Sequence, residues 1–400
     1  MKKINKKVHP EQNRRVFVGM SGGVDSSVSA ALLKKAGYEV TGVFIRVWEP
    51  FASAQDHSAS LCNWREERRE ARRAAAHLDI PLLTLDLSKE YKKRVVDYFI
   101  AEYKAGRTPN PDVMCNKHIK FGVFYDWAMS QGADFVATGH YAQVSRNVKR
   151  KVPEISNSPH RPREGEGSFS LEVSRDLNKD QTYFLWNLKT EQLPKVLFPI
   201  GNYTKPQVRA LAKKFGLPNA LKKDSQGLCF VGQIDFKDFL KRELAAKPGA
   251  VLDEQGKVIG QHDGAMFFTL GERHGFDIFS QTPDSKPYYI IAKDIEKNTI
   301  TVSQNSHSIE AESLEVKIEK TNWINSGAEV SPQASPRSLL GAHLLARIRY
   351  RQPLQKCLVT KLDEKKGSAT IIFDQPQLAA PGQSLVLYNK NVCLGGGVIE

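Results

Sequence analysis

Long apolar runs are missing from this chain of 400 residues. No segment approaches the ~18 consecutive apolar residues of a membrane span, so we expect no membrane-spanning helix and no membrane partner. Residues 1–15 are basic and polar and lack the apolar core of a signal peptide, which favours a cytoplasmic protein. The hydrophobic content of 40% is still enough to build real cores, and the length indicates two or three domains.

Cysteine is scarce, and its spacing excludes several kinds of site. There are five cysteines, an odd number, and no two of them form a C-x-x-C pair. This pattern argues against a disulfide framework, a zinc ribbon and a cysteine-ligated iron–sulfur cluster, and we predict no protein-ligated metal. The thiols are then either buried and inert or catalytic. They are Cys62, Cys115, Cys229, Cys357 and Cys393.

Acidic residues are in deficit, with 44 Asp and Glu against 58 Lys and Arg, which gives a net charge of +14. An excess of this size favours a polyanionic partner, with nucleic acid ahead of a membrane surface. The alternative is that the charge serves only solubility.

A glycine-rich stretch lies between a strand pattern and a helix pattern. Residues 16–20 form a short apolar run typical of a buried strand, and residues 28–36 repeat at helical spacing before Gly37. The turn between them reads Ser21-Gly22-Gly23-Val24-Asp25-Ser26-Ser27. Backbone N–H groups and the helix dipole at such a turn stabilise an anion such as phosphate. An ordinary strand-to-helix turn is the alternative.

The same stretch lacks the lysine of the common P-loop. It resembles instead the phosphate loop of the PP-loop ATP pyrophosphatases, S-G-G-x-D-S. Those enzymes cleave ATP between the α and β phosphates and adenylate a substrate oxygen. Further strand and helix patterns predict a parallel sheet, whose sites lie at the carboxyl ends of the strands. These are strands at 39–45, 82–87 and 134–141 and helices at 66–77 and 91–103.

Two cysteines closely follow loop-like stretches. A helix predicted from Pro111 places Cys115 in about its first turn, near Lys117 and Lys120, and both features favour the thiolate. The second, Cys229, follows a polar loop that contains Lys222 and Lys223. For each cysteine, a buried thiol without chemistry remains the alternative.

Residues 146–170 are rich in charge and proline, and we expect a mobile surface insertion there, with short crossing strands as the alternative. From about Pro287 the apolar period changes to two, which predicts a small antiparallel barrel that includes strands at 288–292 and 299–302. In one strand Arg347, Arg349 and Arg351 alternate with apolar residues. Three guanidinium groups on one face would bind phosphate groups, or they would form an ordinary solvated face.

Several motifs in chain order resemble the tRNA-specific 2-thiouridylase family, from about residue 14 to residue 399. Their co-occurrence is more specific than any single motif. They are Gly19–Ser26, Thr108–Asp112 with Cys115, Ala137–Tyr141, Lys179–Gln181, Gly227–Phe230, Thr269–Arg273, Arg349–Gln352 and Cys393–Gly397.

The resemblance implies an α/β fold of three parts. Residues 1–202 would form a Rossmann-like, parallel-sheet PP-loop domain, and residues 203–284 a small central α+β domain that carries Cys229. Residues 285–400 would form an antiparallel β-barrel that contacts tRNA. A monomer is expected.

The resemblance also implies an activity, ATP-dependent 2-thiolation of the wobble uridine of tRNA. The uracil C2 oxygen would be adenylated with release of pyrophosphate, and a persulfide on Cys229 would then deliver sulfur to C2 with release of AMP. Cys115 would be the nucleophile that releases the sulfur and leaves a Cys115–Cys229 disulfide, or that first frees hydrosulfide. Asp112 would act as acid or base. Mg²⁺ would accompany the nucleotide, and a sulfur-carrier or cysteine desulfurase protein would supply the persulfide sulfur.

By matching position, ATP would contact Gly19, Met20, Ser21, Gly22, Gly23, Val24, Asp25, Ser26, Ile45 and Gly139. The family commonly has methionine where Ile45 stands, and either apolar side chain packs on adenine. The target base and the anticodon stem-loop would contact Asn110, Pro111, Asp112, Lys179, Asp180, Gln181, Arg349 and Tyr350.

Two other functions fit parts of the sequence. A PP-loop enzyme that amidates or ligates a small metabolite would explain residues 16–26, but it gives no role to the cysteine stretches. A non-catalytic RNA-binding protein would explain the charge, but not the intact glycine-rich turn.

Overall fold

Five parallel strands form the first sheet, in a computed structural model that describes residues 13–48, 64–147, 168–223, 236–244, 246–280, 286–305, 312–324 and 336–400. The strands are β1 (Arg15–Gly19), β2 (Glu39–Arg46), β3 (Leu82–Asp86), β4 (Phe135–Ala137) and β7 (Val196–Leu197). Their order is β3-β2-β1-β4-β7, so β1 has β2 on one side and β4 on the other. Because the chain winds in opposite directions from this point, a crevice opens between the carboxyl ends of β1 and β4. The Rossmann-like sheet predicted from the sequence is confirmed.

Helices cover both faces of this sheet. Val16 and Val18 pack on one face and Phe17 on the other, and all three are buried, as expected for a strand inside a two-sided sheet. The helix predicted at 91–103 and the helix predicted from Pro111 both contain π-helical segments. The helical elements are α1 (Val24–Ala36), α2 (Trp64–His77), α3 (Ser88–Tyr91), a π segment (Lys92–Val96), α4 (Asp97–Lys104), α5 (Pro111–Cys115), a π segment (Asn116–Val123), α6 (Phe124–Ser130), α7 (Lys205–Lys214) and α8 (Phe236–Leu244). Among the described residues, no helix has the length and apolar character needed to cross a membrane.

A second, mixed sheet has the order β10-β9-β8-β12-β11. Its strands are β8 (Gly249–Leu252), β9 (Val258–His262), β10 (Phe276–Ile278), β11 (Tyr289–Asp294) and β12 (Thr299–Ser303). The sequence analysis placed the last two strands in the barrel, but β12 pairs with β8. Alternation along a strand specifies which side chains face a core and not which strand is the neighbour, which explains the difference. This sheet continues past residue 284, where the predicted barrel domain begins.

The C-terminal strands form a closed antiparallel barrel of six strands, in the order β13-β16-β15-β14-β17-β18, and pairing of β13 with β18 closes the ring. This confirms the predicted barrel. The strands are β13 (Glu312–Trp323), β14 (His343–Arg347), β15 (Gln355–Asp363), β16 (Ser368–Leu378), β17 (Ser384–Asn389) and β18 (Val392–Ile399). Closure leaves no exposed strand edge in the ring.

A hairpin from the N-terminal part of the chain joins the barrel. Strands β5 (Gln143–Asn147) and β6 (Ser168–Glu172) pair with each other, and β6 also pairs with β18. The ends of the expected insertion at 146–170 are therefore strands, which is the alternative given above. Residues 148–167, which make up most of that insertion, lie outside the described residues.

The three arginines predicted to alternate along one barrel strand, Arg347, Arg349 and Arg351, do not share one face. Strand β14 ends at Arg347, and Arg351 has a positive φ of 64°, so the strand alternation does not reach Arg349 and Arg351. Arg347 is buried, stacks over Tyr388 at 4.9 Å, and places Nη2 3.4 Å from an oxygen of the buried Asp180 carboxylate. Arg347 therefore has a structural role in the protein interior.

We predict different consequences for the two neighbouring arginines. Replacement Arg347→Met leaves the Asp180 charge buried without its cation and should lower the free energy of unfolding by about 3–5 kcal/mol. The matched change Arg349→Met, at an exposed position, should alter it by less than about 0.5 kcal/mol. Urea unfolding followed by circular dichroism measures both, and equal effects of the two changes would contradict the assignment.

Candidate active site

The glycine-rich turn leads from β1 directly into α1. The amide of Ser21 donates to Ser26 Oγ at 3.3 Å, and Ser26 Oγ donates to the Gly23 carbonyl at 3.2 Å. No side chain caps α1 at Gly23, which leaves the amides of its first turn to a ligand. Gly22 has a φ of 76°, and a Cβ there would lie 2.2 Å from the Glu67 carbonyl oxygen. The turn therefore presents backbone donors at a helix N-terminus, which is a phosphate-binding geometry.

The turn after β4 packs against this helix start. A Cβ at position 139 would lie only 2.7 Å from the Ser26 amide nitrogen, so a side chain at Gly139 would fill the space beside the turn. Ser26 and Gly139, which are 113 residues apart in the sequence (139 minus 26), thus belong to two motifs that form one crevice at the switch point of the sheet.

His140 is an internal residue of this crevice. Its Nδ1 lies 2.7 Å from Thr138 Oγ1, and its Nε2 lies 3.4 Å from Lys120 Nζ. Burial, and then the Lys120 charge, hold the pKa of His140 well below its usual value, so the imidazole is neutral at pH 7. Its contacts fit a structural role.

Three residues to which the sequence analysis assigned no site role hold the turn. Lys205, the first residue of α7, donates to both oxygens of the Asp25 carboxylate at 2.8 and 2.9 Å, and the Tyr141 hydroxyl donates to Asp25 Oδ1 at 3.1 Å. Asn219 Nδ2 donates to the Gly22 carbonyl at 3.1 Å and to Ser27 Oγ at 3.0 Å. Only the fold brings Lys205 and Asn219 to the turn, and no local signal marks either one.

Two apolar positions assigned to ATP have different environments. Met20 is 1% exposed, so its side chain belongs to the core and only its backbone is available to a ligand. Ile45 lies near the carboxyl end of β2 and is partly buried against the core, so part of its side chain is accessible beside the crevice.

Cys115 lies on the helix that begins, as predicted, at Pro111. Asn110 is the N-cap, and its side-chain oxygen accepts from the Val113 amide at 3.3 Å. Cys115 is the fifth helical residue, just beyond the first turn, and is 2% exposed. It belongs to the same packed cluster as Phe17 of β1. The Trp127 ring of α6, further along the same helical run, lies 5.6 Å from the Phe17 ring between centroids, so this run lies against the sheet that carries the turn.

The other cysteines divide into two groups. Cys357 and Cys393 are buried in the barrel, and burial raises the pKa of each thiol to about 12, which makes them inert at neutral pH. Cys62 and Cys229 lie outside the described residues.

The loop before Cys115 connects the three parts of the protein. The Thr108 amide donates to the Pro381 carbonyl in the barrel at 2.8 Å, and Thr108 Oγ1 lies 3.0 Å from Thr269 Oγ1, next to the second sheet. The Asn110 side chain lies beside the Tyr183 hydroxyl, which donates to the Ile348 carbonyl of the barrel at 3.0 Å. The start of the Cys115 helix is therefore held from several sides.

The structure brings three of the predicted RNA-contact segments together at this junction. The rings of Phe184 and Tyr350 lie 4.6 Å apart between centroids. Arg351 Nε donates to the Asn178 carbonyl at 3.1 Å, and Arg349 Nη2 donates to the Leu270 carbonyl at 3.5 Å. The segments around residues 110, 180 and 350 thus lie next to one another.

Members of the 179–181 segment differ in their surroundings. Asp180 is 1% exposed, and its carboxylate accepts from Thr182 Oγ1 at 2.8 Å and from the Ser174 amide at 3.1 Å. Gln181 Oε1 accepts from the Tyr141 amide at 2.9 Å, and Lys179 is partly exposed. Asp180 therefore has internal partners, whereas Lys179 presents a side chain to solvent.

Comparisons with known proteins cover the whole described fold. Family models match residues 14–233 (tRNA methyl transferase HUP domain), residues 237–304 (tRNA methyl transferase PRC-barrel domain) and residues 313–399 (Aminomethyltransferase beta-barrel domain). The chain is 44% identical to the tRNA-specific 2-thiouridylase MnmA of Alcanivorax borkumensis over 391 residues, which are 97% of this chain and 98% of that protein.

Two further relatives with the same name show a similar sequence identity to this chain. The protein of Streptococcus agalactiae is 43% identical over 97% of this chain and 95% of its own length. The protein of Halalkalibacterium halodurans is 43% identical over 98% of this chain and 95% of its own length. Since the identity extends over nearly the full length of each pair, the protein belongs to the tRNA-specific 2-thiouridylase family.

Proposed function

We propose that the protein is an ATP-dependent tRNA 2-thiouridylase that replaces the C2 oxygen of the wobble uridine with sulfur and releases AMP and pyrophosphate. The observation that carries this proposal is the packing of the Cys115 helix against the sheet that presents the glycine-rich turn. An activating nucleotide and a thiol are thereby held on one framework. Family membership favours this reaction over ligation of a small metabolite and over non-catalytic RNA binding.

Activation of the base is the first step. The C2 oxygen is a poor leaving group, and adenylation converts it into AMP, which leaves readily. The amides of residues 21–26 bind the phosphates at the positive end of α1. The Asp25–Lys205 pair fixes the position of the turn. Mg²⁺, which prefers phosphate oxygens and water as ligands, would accompany the nucleotide and offset the charge of its phosphates.

Sulfur transfer is the second step. The terminal sulfur of a persulfide on Cys229 bonds to C2, and AMP departs with the former C2 oxygen. The Cys115 thiolate then attacks Cys229 Sγ and breaks the sulfur–sulfur bond, so the sulfur stays on C2 and a Cys115–Cys229 disulfide forms. Donor thiols reduce this disulfide, and a sulfur-carrier or cysteine desulfurase protein renews the persulfide. In this account Asp112, the second residue of α5, exchanges a proton near the base.

Access to C2 requires the base to leave its stack. Unstacking costs a few kcal/mol, which contacts with Asn110, Pro111 and Asp112 would offset. Lys179, Gln181, Arg349 and Tyr350 would grip the anticodon stem-loop around this pocket, while Asp180 supports them from inside. The cytoplasmic location, the monomeric state and the identity of the sulfur donor stay predictions.

If both thiols take part in sulfur transfer, replacing either one should abolish the formation of 2-thiouridine. Cys115→Ser and Cys229→Ser should each lower 2-thiouridine formation by at least about 1000-fold, because the nucleophile or the sulfur carrier is lost. Mass spectrometry of nucleosides from treated tRNA measures the product. Cys357→Ala, a buried thiol of the barrel, is the matched control and should retain activity. Full activity of either serine variant would disprove the relay.

Lys205 should be required for use of ATP. Its ammonium makes two charge-assisted hydrogen bonds to Asp25, and losing them in Lys205→Met should lower kcat/KM for ATP about 10- to 100-fold. Lys213→Met, at an exposed position of the same helix, should have no effect. AMP release at saturating tRNA measures both, and wild-type kinetics for Lys205→Met would refute the positioning role.

Affinity for tRNA should fall steeply with ionic strength if phosphate contacts dominate it. Arg349→Met should reduce the slope of log Kd against log salt by the amount expected for the loss of about one phosphate contact, and it should leave ATP binding unchanged. Lys365→Met, in the exposed turn between β15 and β16, is the control. Filter binding across a salt series gives the slopes. A flat salt response, or an Arg349→Met slope equal to that of the control, would contradict the proposed tRNA surface.

A further inference from the structure

A cavity of about 320 Å³ lies behind the Cys115 helix, apart from the crevice described above. Met114, Lys117 and His118 line one wall, and they belong to α5 and the π-helical segment that continues it. Lys320 and Val398 of the barrel line another wall. The cavity therefore spans the junction of the parallel-sheet domain and the barrel, and its size falls within the ~300–1,000 Å³ range of small-molecule sites.

Three polar side-chain atoms of the lining are buried and have no hydrogen-bond partner among the described residues. They are the Tyr98 hydroxyl oxygen, Trp186 Nε1 and Asn187 Nδ2. Trp186 is 0% exposed and Asn187 is 7% exposed. A buried polar group that lacks a partner costs about 1–3 kcal/mol, so three around one cavity are unusual unless a ligand or water completes them.

All three groups act as donors. An indole N–H and an amide NH₂ can only donate. Burial raises the pKa of Tyr98 to about 12, so its hydroxyl keeps its proton at neutral pH. A single ligand that satisfied all three groups would therefore be an acceptor with several lone pairs.

The charges around the cavity favour an anion. Arg94, Lys117 and Lys320 line it, against Glu102 as the one carboxylate of the lining. That carboxylate already accepts two hydrogen bonds from Arg107, at 2.5 and 2.8 Å.

The Lys117 ammonium group lies near two other cationic side chains. Desolvation, and then repulsion from Lys320 and Lys189, lower the pKa of this ammonium group. Glu319 pairs with Lys320 at 2.8 Å, which offsets only that charge. Desolvation lowers the pKa of His118 to about 4, so this ring is neutral and free of charge at pH 7. A bound anion would relieve the repulsion that remains.

We propose that this cavity is a binding site for a small molecule that carries an oxyanion, either a carboxylate or a phosphate group. The oxyanion accepts from Trp186, Asn187 and Tyr98 and balances Arg94 and Lys117. The volume corresponds to about ten water molecules at ~30 Å³ each, so the ligand has room for a body beyond the oxyanion itself. Such a ligand joins the barrel to the helix that carries the reactive cysteine.

The Trp186 indole gives a direct readout. The full chain has five tryptophans, and Trp186→Phe identifies the Trp186 resonance in ¹H–¹⁵N spectra. Inorganic phosphate and acetate are titrated separately at constant ionic strength. The Trp186 indole proton should move downfield and saturate, with half-saturation at or below about 10 mM for at least one of the two anions. The anion that binds more tightly identifies the oxyanion class, and phosphate bound at the glycine-rich turn would leave this resonance in place.

Two variants test the donors and the charge. Lys117→Met and Tyr98→Phe should each weaken binding at least about fivefold, as expected for loss of one polar contact. Lys356→Met, at an exposed position of β15, should leave the titration unchanged. No shift with either anion up to about 50 mM, a concentration at which even weak sites fill, would show that water alone occupies the cavity and would overturn the proposal. Equal shifts in the wild type and Lys117→Met would also overturn it.

Discussion

The close contact between the turn after β4 and the first turn of α1 is the constraint on which the active site depends. Only glycine at position 139 lets the two segments meet, because a Cβ would lie 2.7 Å from the Ser26 nitrogen. The contact sits where the parallel sheet reverses its winding direction, so it also forms the floor of the crevice. Lys205 and Asn219 also hold the turn, through the Asp25 carboxylate and the Gly22 carbonyl.

The second requirement is a fixed start of the Cys115 helix. Thr108 is hydrogen-bonded to the barrel and to the segment beside the second sheet, and Asn110 caps the helix. Tyr183 connects the same region to the barrel interior. A base that enters this junction would meet groups from all three parts of the protein, which explains why a chain of this length serves one site.

Much of this arrangement could be predicted from the sequence, because it depends on local patterns. The strand, glycine turn and helix at residues 15–36 and the helix start at Pro111 follow from short-range rules of periodicity and capping. The partner strand of β12 and the burial of Arg347 could not be predicted, since both depend on which distant segment lies alongside. Lys205 was missed for the same reason, because its carboxylate partner is 180 residues away in the sequence.

The central claim is that two distant thiols and an activated base carbonyl meet in one pocket. The most direct test is a single turnover of enzyme carrying persulfide sulfur on Cys229, with ATP and tRNA and without reductant. Peptide mass spectrometry and nucleoside analysis are made on the same sample. The account predicts one Cys115–Cys229 disulfide for each 2-thiouridine formed. Formation of 2-thiouridine with both cysteines still unlinked would contradict it.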